Sequence, residues 1–304
     1  LTGSDEPVLA HAASPPDSRR YGRTMATTTA SDNATATATS RTSSEGASGD
    51  GRGPSSARKQ PDGLTSGVPV SALVIDPTNP TIVYAAAQGV FKSASGGAKW
   101  SPSISGLPFN VSVLALAMHP TDPNTLYAGT NAGLFKTINA GSSWSLVGVG
   151  STLAEVGAVA IDPTNPSTVY AGMRQLFKST NDGASWSDTN AGLPTNLPAV
   201  QVLAIDPSNP SILYAGTFGF GMFRSTDGAG SWGAITTGAD TVDGVPVHNF
   251  IGAFAFDPLT PGLLYVGTGV NGFGGSVFKS TDGGTTWSPH NTGLPHAAIH
   301  ALVI

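Results

Sequence analysis

The sequence predicts an all-β fold, a β-propeller of four-stranded antiparallel blades, on three observations. Five similar segments follow one another between residues 68 and 304, and their central tyrosines are 43, 43, 44 and 51 residues apart. Each segment contains four short apolar runs separated by turn residues, with no helical periodicity between them. A repeat of roughly 43 residues that holds four strands has the length of one propeller blade.

The elements of each unit follow a fixed order. An apolar first strand, such as Ala72–Ile75, ends at an Asp-Pro turn, where proline fixes φ and removes a backbone donor. The second strand centres on a tyrosine, the third carries a phenylalanine, and a turn with a tryptophan precedes the fourth. The aligned aromatic residues are Tyr84, Tyr127, Tyr170, Tyr214 and Tyr265; Phe91, Phe135, Phe177, Phe223 and Phe278; and Trp100, Trp144, Trp186, Trp232 and Trp287.

The alignment also predicts blade boundaries and an incomplete last blade. The five blades are expected at approximately residues 68–108, 109–154, 155–198, 199–249 and 250–298. Residues 299–304 are expected to begin a sixth blade, because His300–Ile304 matches Ser71–Ile75 of the first unit. An unpaired strand edge is a liability in a finished fold. We therefore expect a truncated propeller, with five blades in an open arc or in a ring with a poor seam.

The first 67 residues differ in composition from the repeats. They are rich in Ser, Thr, Ala, Gly and Pro and contain few large apolar side chains. Such a segment cannot bury enough apolar surface to offset the entropy of ordering, so residues 1–67 are expected to be disordered. A resistant core is expected to start near Val68.

Charge and cysteine content exclude several function classes. The repeats hold seven basic and twelve acidic residues and so account for the whole net charge of −5. With two arginines, Arg174 and Arg224, they make a poor phosphate-binding surface, so no nucleic-acid partner is expected. The chain has no cysteine, which excludes disulfides and thiolate metal sites.

No apolar run is long enough for a membrane-spanning helix or a signal-peptide core, so no membrane insertion is expected.

The turn before each tryptophan resembles the Asp box, or bacterial neuraminidase repeat, written Ser/Thr-x-Asp-x-Gly-x-Thr/Ser-Trp. The segment from Ser280 to Trp287 fits every position, and the other four segments depart from the pattern at one or two. At the third position the five segments carry Ser95, Asn139, Asn181, Asp227 and Asp282. These short side chains can all cap backbone N–H groups in a tight turn, whereas a catalytic carboxylate would not tolerate Asn or Ser. The boxes are therefore expected to be structural, and their five tryptophans are expected to be buried and structurally equivalent.

The resemblance implies fold more strongly than activity. Similar repeats occur in sialidases, xyloglucan-degrading glycosidases and sortilin-like receptors, and they favour an extracellular or cell-surface location. We expect a non-catalytic module that binds a glycan or protein ligand, or serves as a scaffold, together with the remaining blades of a larger protein. The alternative is a fragment of a glycoside hydrolase, sialidase-like or xyloglucanase-like, with catalytic residues partly in missing blades.

Catalytic constellations are sparse in the repeats. A sialidase would need three arginines and a tyrosine–glutamate pair, yet the repeats hold two arginines and one glutamate, Glu155, and their tyrosines repeat as packing residues. A glycosidase would need two carboxylates beside the scissile bond. Most aspartates instead belong to the proline turns or the boxes. No catalytic residue, metal site or cofactor is predicted.

Three irregular loops are the candidate binding elements, because scaffolds place binding groups on variable loops. The alternative is that these insertions are neutral, because surface loops tolerate them. Two join second to third strands, at 217–221 and 268–275, and one, 236–250, joins unit 4 to unit 5. All three are expected on the face opposite the boxes. The candidate binding residues are Phe218, Phe220, Asp240, Asp243, His248, Asn249, Asn271 and Phe273.

Overall fold

The computed structural model describes residues 63–64, 68–150, 154–197, 199–235, 250–269, 275–294 and 298–304. These residues contain twenty strands in five antiparallel sheets of four strands each. Each sheet is a meander in which consecutive strands are neighbours. The structure confirms the predicted all-β propeller of five four-stranded blades.

The strands of each blade, from the first to the fourth, have the following bounds. Blade 1 contains β1 (Ala72–Ile75), β2 (Val83–Ala87), β3 (Gly89–Ser93) and β4 (Ser101–Pro102). Blade 2 contains β5 (Val113–Met118), β6 (Leu126–Thr130), β7 (Gly133–Thr137) and β8 (Ser145–Val147). Blade 3 contains β9 (Ala158–Ile161), β10 (Val169–Gly172), β11 (Leu176–Ser179) and β12 (Ser187–Asp188). Blade 4 contains β13 (Val200–Ile205), β14 (Leu213–Thr217), β15 (Met222–Ser225) and β16 (Gly233–Ile235). Blade 5 contains β17 (Ile251–Phe256), β18 (Leu264–Thr268), β19 (Val277–Ser280) and β20 (Ser288–Pro289).

Consecutive blades pack face to face through their first strands. β1 packs on β5, β5 on β9, β9 on β13 and β13 on β17, and no comparable contact joins β17 to β1 among the described strands. The cores lie between blades, so the inner three strands are buried on both faces while the short fourth strands are largely exposed. Each blade is therefore stabilised by its neighbours.

Glycine near the end of the second strand sets how closely blades approach. A Cβ on Gly129 would lie 2.7 Å from the Val156 carbonyl oxygen, and a Cβ on Gly216 would lie 2.6 Å from the Ile251 side chain. Real Cβ atoms do not approach this closely, so a larger residue would push the next blade away. Gly172 and Gly267 occupy the same register position in blades 3 and 5.

Residues 298–304 contain no strand, so the sixth blade and the truncation stay predictions. The segment nevertheless packs on blade 5, where Ile299 donates its backbone N–H to the Thr268 carbonyl at 3.1 Å. Val156 makes the equivalent bond to Thr130 at the junction of blades 2 and 3, at 2.9 Å. Ile299 and Leu302 are buried in the blade 5 core, and Ala298 beside them is also buried.

At the other end, blade 1 is covered by residues that precede its first strand. Leu64, Val68 and Val70 pack with Trp100 on the face of blade 1 that points away from blade 2. Leu64 belongs to the segment 1–67 that we expected to be disordered, so this part of the segment contributes to the core. Residues 1–62 and 65–67 lie outside the described residues, and the expectation of disorder stays a prediction there. In the described part of the chain, no helix is long and apolar enough to span a membrane.

The five tryptophans are not equivalent, contrary to the sequence prediction that all are buried alike. Trp144, Trp232 and Trp287 are buried, whereas Trp100 and Trp186 are only half-buried. The indole N–H groups of Trp144 and Trp232 donate to carbonyls of the preceding blade, at Ser103 (2.9 Å) and Thr189 (3.0 Å). Those of Trp186 and Trp287 donate within their own turns, to Gly183 and Gly284. The difference arises because the end of the preceding blade covers Trp144 and Trp232.

Replacing a buried tryptophan should therefore cost more than replacing a half-buried one. We expect Trp144→Ala and Trp287→Ala each to lower the free energy of unfolding by about 3–5 kcal/mol, the usual cost of deleting a large buried aromatic side chain. Trp186→Ala should cost clearly less, because part of its ring already contacts solvent. Urea unfolding followed by circular dichroism measures all three, and equal losses for Trp144→Ala and Trp186→Ala would refute the two classes.

Candidate functional site

The five box segments, residues 93–100, 137–144, 179–186, 225–232 and 280–287, form one repeated turn between the third and fourth strands. In box 5 the Ser280 hydroxyl donates to the Asp282 carboxylate at 2.8 Å and accepts the N–H of Gly284 at 2.8 Å. The same carboxylate accepts the backbone N–H of Thr286 at 2.8 Å and its hydroxyl at 2.6 Å. The third-position side chain thus caps the turn, as expected.

The substituted boxes make the same capping bonds. In box 3, Asn181 accepts the N–H of Ser185 at 2.9 Å and donates from its amide to the Ser185 hydroxyl at 2.9 Å. In box 1, the Ser95 hydroxyl accepts the N–H of Lys99 at 3.0 Å. Because neutral side chains replace the carboxylate without loss of the turn, the negative charge serves no common role in the boxes.

Most of the other described carboxylates cap the proline turns that follow the first strands. Asp76 accepts two N–H groups and the Thr78 hydroxyl, and Asp162 and Asp206 repeat the arrangement. His119 takes the aspartate's place in blade 2, and its Nδ1 accepts the N–H of Asp122 at 3.0 Å. Seven of the ten described carboxylates accept backbone N–H groups of their own turn: Asp76, Asp122, Asp162, Asp206, Asp227, Asp257 and Asp282.

Capping lowers the pKa of the two box carboxylates. The Ser231 hydroxyl is the main cause that lowers the pKa of Asp227 to about 2, and the Thr286 hydroxyl lowers that of Asp282 to about 2. Both side chains are exposed, and a pKa of about 2 leaves neither of them poised for acid–base chemistry near neutral pH. Hydrogen bonds to the charged form, and not a positive neighbour, set these values.

The opposite face of the propeller carries the loops between second and third strands. In blade 4 this loop is anchored by Thr217, whose hydroxyl donates to the Gly221 carbonyl at 2.8 Å and accepts the N–H of Phe220 at 3.2 Å. Gly219 and Gly221 adopt positive φ values of 97° and 76°, which allow the tight turn. We call this anchored segment, residues 217–221, the Phe loop.

Thr130 anchors a shorter loop and Thr268 anchors a longer loop in the same way. The Thr130 hydroxyl donates to Gly133, three residues on, and the Thr268 hydroxyl donates to Ser276, eight residues on. In all three blades the anchor is a buried threonine at the end of the second strand. Loop length can therefore vary while the hairpin beneath it stays the same.

The Phe loop holds aromatic rings at the surface. Phe218 and Phe220 are 42% and 43% exposed. The Phe218 ring meets the Phe250 ring edge-on with centroids 4.7 Å apart, and a β-bridge joins the two backbones. Since Phe250 immediately precedes β17, the ring pair spans the junction of blades 4 and 5.

A buried amide without a partner lies on the first strand of blade 4. Gln201 is the bulge residue of β13, between the pairs that Val200 and Val202 make with β14. Its side chain is 1% exposed, and neither amide atom has a hydrogen bond in the described chain. Leu114 occupies the corresponding bulge of blade 2. Leaving a buried amide unpaired is costly, so glutamine is an unexpected residue at this position of an apolar strand. Sequence reasoning missed it, although the contrast with Leu114 was visible in the alignment.

The remaining candidate binding residues lie outside the described part of the chain. These are Asp240, Asp243, His248, Asn249, Asn271 and Phe273. Among the residues that the structure describes, no three His, Cys, Asp or Glu side chains are grouped closely enough to hold a metal ion. The described candidate site therefore consists of Phe218, Phe220 and Phe250, with Gln201 in the same blade as the Phe loop.

The depressed carboxyl pKa values give a pH prediction. Because the pKa values of Asp227 and Asp282 are lower in the folded protein than the ordinary 3.8, ionisation stabilises the fold above pH 3.8, and this contribution is lost as pH falls toward 2. We expect the double variant Asp227→Asn/Asp282→Asn to fold and to lose less stability between pH 4 and pH 2 than the parent chain. Thermal unfolding midpoints across that range measure the effect, with Asp188→Asn, an exposed residue outside the turns, as control. Identical pH profiles for parent and double variant would contradict the capping role.

Solved structures with similar folds include enzymes and a sensor domain. An ancestral GH74 enzyme shares 25% identity with a TM-score of 0.66, over 79% of this chain and 33% of that one. The GH74 xyloglucanase from Xanthomonas campestris shares 18% identity with a TM-score of 0.51, over 76% of this chain and 46% of that one. The extracellular domain of the one component system BT4673 from B. thetaiotaomicron shares 21% identity with a TM-score of 0.53, over 72% and 28% of the two chains.

The chain thus spans less than half the length of each of these structures. No curated protein matches its sequence. The match to the DUF6242 beta propeller domain covers residues 72–301, which include all twenty strands. The chain therefore belongs to the DUF6242 beta propeller domain family.

Proposed function

We propose that the chain is a glycan-binding propeller module that does not hydrolyse its ligand, and that the site lies at the junction of blades 4 and 5, on the face opposite the boxes. The observation that carries the proposal is the aromatic surface formed by the Phe loop and Phe250. Sugar rings present C–H faces that pack on aromatic side chains, which combine apolar contact with defined geometry.

The Phe loop is a preorganised element. Thr217 fixes both ends of the turn, and the Phe218–Phe250 ring pair restrains one of its two aromatic side chains. Holding the rings in place before binding lowers the entropy cost of association. Phe220 keeps a free exposed face beside them.

Gln201 adds polar capacity to the same blade. An amide offers two donors and an acceptor, and because Gln201 is only 1% exposed, it would reach a sugar hydroxyl through a bridging water. Phe218 donates its N–H to the Ala199 carbonyl, two residues before Gln201, so the Phe loop is tied to this end of β13. Apolar rings with a few polar groups are the usual composition of a ligand site.

The use of the carboxylates supports binding without hydrolysis. Glycoside hydrolysis requires a carboxylic acid and a second carboxylate on either side of the bond. Most described carboxylates cap turns on the box face, away from the aromatic surface. The five turns also support membership of the Asp-box repeats, with Asp, Asn and Ser as interchangeable caps.

Similarity to GH74 structures suggests the ligand to test first. One similar structure is a xyloglucanase, and another GH74 enzyme reaches 25% identity. We expect xyloglucan oligosaccharides to bind the chain in isothermal titration calorimetry and to release no new reducing ends on prolonged incubation. Reducing-end release that increases with the concentration of the chain would favour the glycosidase alternative.

Variants of the Phe loop test the site itself. We expect Phe218→Ala/Phe220→Ala to weaken oligosaccharide binding by at least about tenfold, since a stacking ring contributes on the order of 1 kcal/mol or more. Leu259→Ala, which removes a side chain that is 90% exposed on the box face, serves as the matched control. Equal affinities for the loop variant, the control and the parent chain would refute the site while leaving the fold intact.

Gln201→Leu separates function from stability. Replacing the unpaired amide with the leucine found in the blade 2 bulge should raise the free energy of unfolding by about 1 kcal/mol, because a buried unsatisfied group is removed. The same variant should bind oligosaccharide more weakly. Lower stability would show that the amide is paired in solution, and unchanged affinity would remove Gln201 from the site.

A further inference from the structure

Every junction between described blades is held by the same bond to a box carbonyl. The second-strand tyrosine of one blade donates its hydroxyl to the backbone carbonyl at the fourth box position of the next blade. At the first junction, Tyr84 and Lys92 both donate to the Ala140 carbonyl at 2.9 Å. The Lys92 ammonium also lies 5.1 Å from the centre of the Tyr84 ring. We call this tyrosine–lysine pair with its acceptor carbonyl the junction clamp.

The clamp repeats at the other three junctions. Tyr127 and Lys136 donate to the Asp182 carbonyl at 2.7 Å each. Tyr170 and Lys178 donate to Gly228, at 3.4 Å and 2.8 Å. At the fourth junction Tyr214 donates to Gly283 at 2.7 Å, and Arg224 takes the place of the lysine beside the ring.

A second device accompanies the clamp at two junctions. The segment that follows the fourth strand of blades 1 and 3 runs across the next box, where the carbonyls of Ser105 and Ala191 accept the backbone N–H of Trp144 and Trp232 at 2.8 Å. Gly106 and Gly192 lie so close to these tryptophans that a Cβ would collide with their carbonyl groups, and their φ values are 86° and 85°. We call such a segment a tail.

Blade 5 carries the donor half of a clamp and the acceptor half of a tail. Lys279 lies 5.7 Å from the centre of the Tyr265 ring, as in a clamp, but neither polar group has a hydrogen bond in the described chain. Gly293 has the tail conformation, with φ of 83°, yet no heavy atom lies within 4 Å of the place a Cβ would occupy. His290 donates its N–H to Val277 as Thr189 does to Leu176, so its carbonyl stands where the Thr189 carbonyl accepts the indole N–H of Trp232.

We propose that blade 5 presents a docking face for one further β-blade of the same propeller, which carries a box turn. The box carbonyl of this further blade would accept hydrogen bonds from Tyr265 and Lys279. Its tryptophan would pack on the tail at 290–294 and donate its indole N–H to the His290 carbonyl. Residues 300–304 would form its first strand, because Ile299 already makes the bond that Val156 makes before β9. This inference is independent of the proposed glycan site.

A second copy of the chain fits this face less well. The only described box whose fourth-position carbonyl lacks a clamp is box 1, so a second copy would have to offer blade 1. That face of blade 1 is already covered by Leu64, Val68 and Val70. Gly63 lies at the Trp100 carbonyl, where a tail would dock. Residues 298–302 also occupy the inner part of the blade 5 face.

A grafted blade tests the proposal directly. Residues 119–150, which complete blade 2 after its first strand, are appended after Ile304 to supply three strands and box 2. We expect the graft to raise the unfolding midpoint of the chain and to slow acetylation of Lys279 by about tenfold or more, since clamped groups react only after local opening. Lys92, Lys136 and Lys178 should be slow in both proteins. Mass spectrometry measures all four sites.

Clamp variants provide the matched controls. Tyr265→Phe/Lys279→Met should leave the midpoint of the parent chain unchanged and abolish the increase that the graft produces. The internal pair Tyr84→Phe/Lys92→Met should lower the midpoint in both proteins. This contrast is specific to a docking role, because a merely structural role for Tyr265 would show in the parent chain.

Three results would overturn the proposal. In the first, circular dichroism and proteolysis show that the grafted blade stays unfolded. In the second, Lys279 is acetylated as slowly as Lys92 in the parent chain. In the third, sedimentation velocity shows a dimer of the parent chain that Lys279→Met dissociates. The last result would identify a second copy as the occupant. Oligosaccharide titration of the grafted chain shows whether the glycan site stands or fails separately.

Discussion

The hydrogen bond from a buried tyrosine hydroxyl to the box carbonyl of the next blade is the contact on which the architecture depends. A four-stranded blade cannot bury its own faces, so its stability comes from its neighbours. The tyrosine fills the apolar space between blades, and its hydroxyl needs a partner once buried. Burial raises the pKa of Tyr170 and Tyr214 to about 12, so the group remains a donor under all ordinary conditions.

The box turn makes that acceptor available. The third-position side chain and the first-position hydroxyl occupy the N–H groups of the turn, which leaves the fourth-position carbonyl pointing outward to the previous blade. The side chain that caps can be Asp, Asn or Ser, because what the neighbour uses is the backbone. This explains how the box sequence drifts while the blades keep one geometry.

Much of the fold followed from the sequence because its signals are local. Tyrosine spacing, proline turns and tryptophan turns each depend on a few adjacent residues, and they located all five blades. The different hydrogen-bond partners of the tryptophans were not predictable in this way, since those of Trp144 and Trp232 lie in the tail of the preceding blade. The repeated Gly-Leu-Pro at 106–108, 192–194 and 293–295 carried that signal. Gln201 was missed because an isolated polar residue in an apolar strand has no periodic pattern. Leu64 was missed because it lies in a segment whose overall composition predicts disorder.

The threonine anchors at 130, 217 and 268 separate the requirements of the strands from those of the loops above them. Each anchor closes its hairpin with side-chain bonds, so the residues above it can lengthen, shorten or change identity without disturbing strand register. A change in the loop of one blade then leaves the strands beneath it unchanged. For protein engineers, the segment between Thr217 and Gly221 is a cassette into which foreign recognition sequences can be inserted, and neighbouring cassettes can be combined.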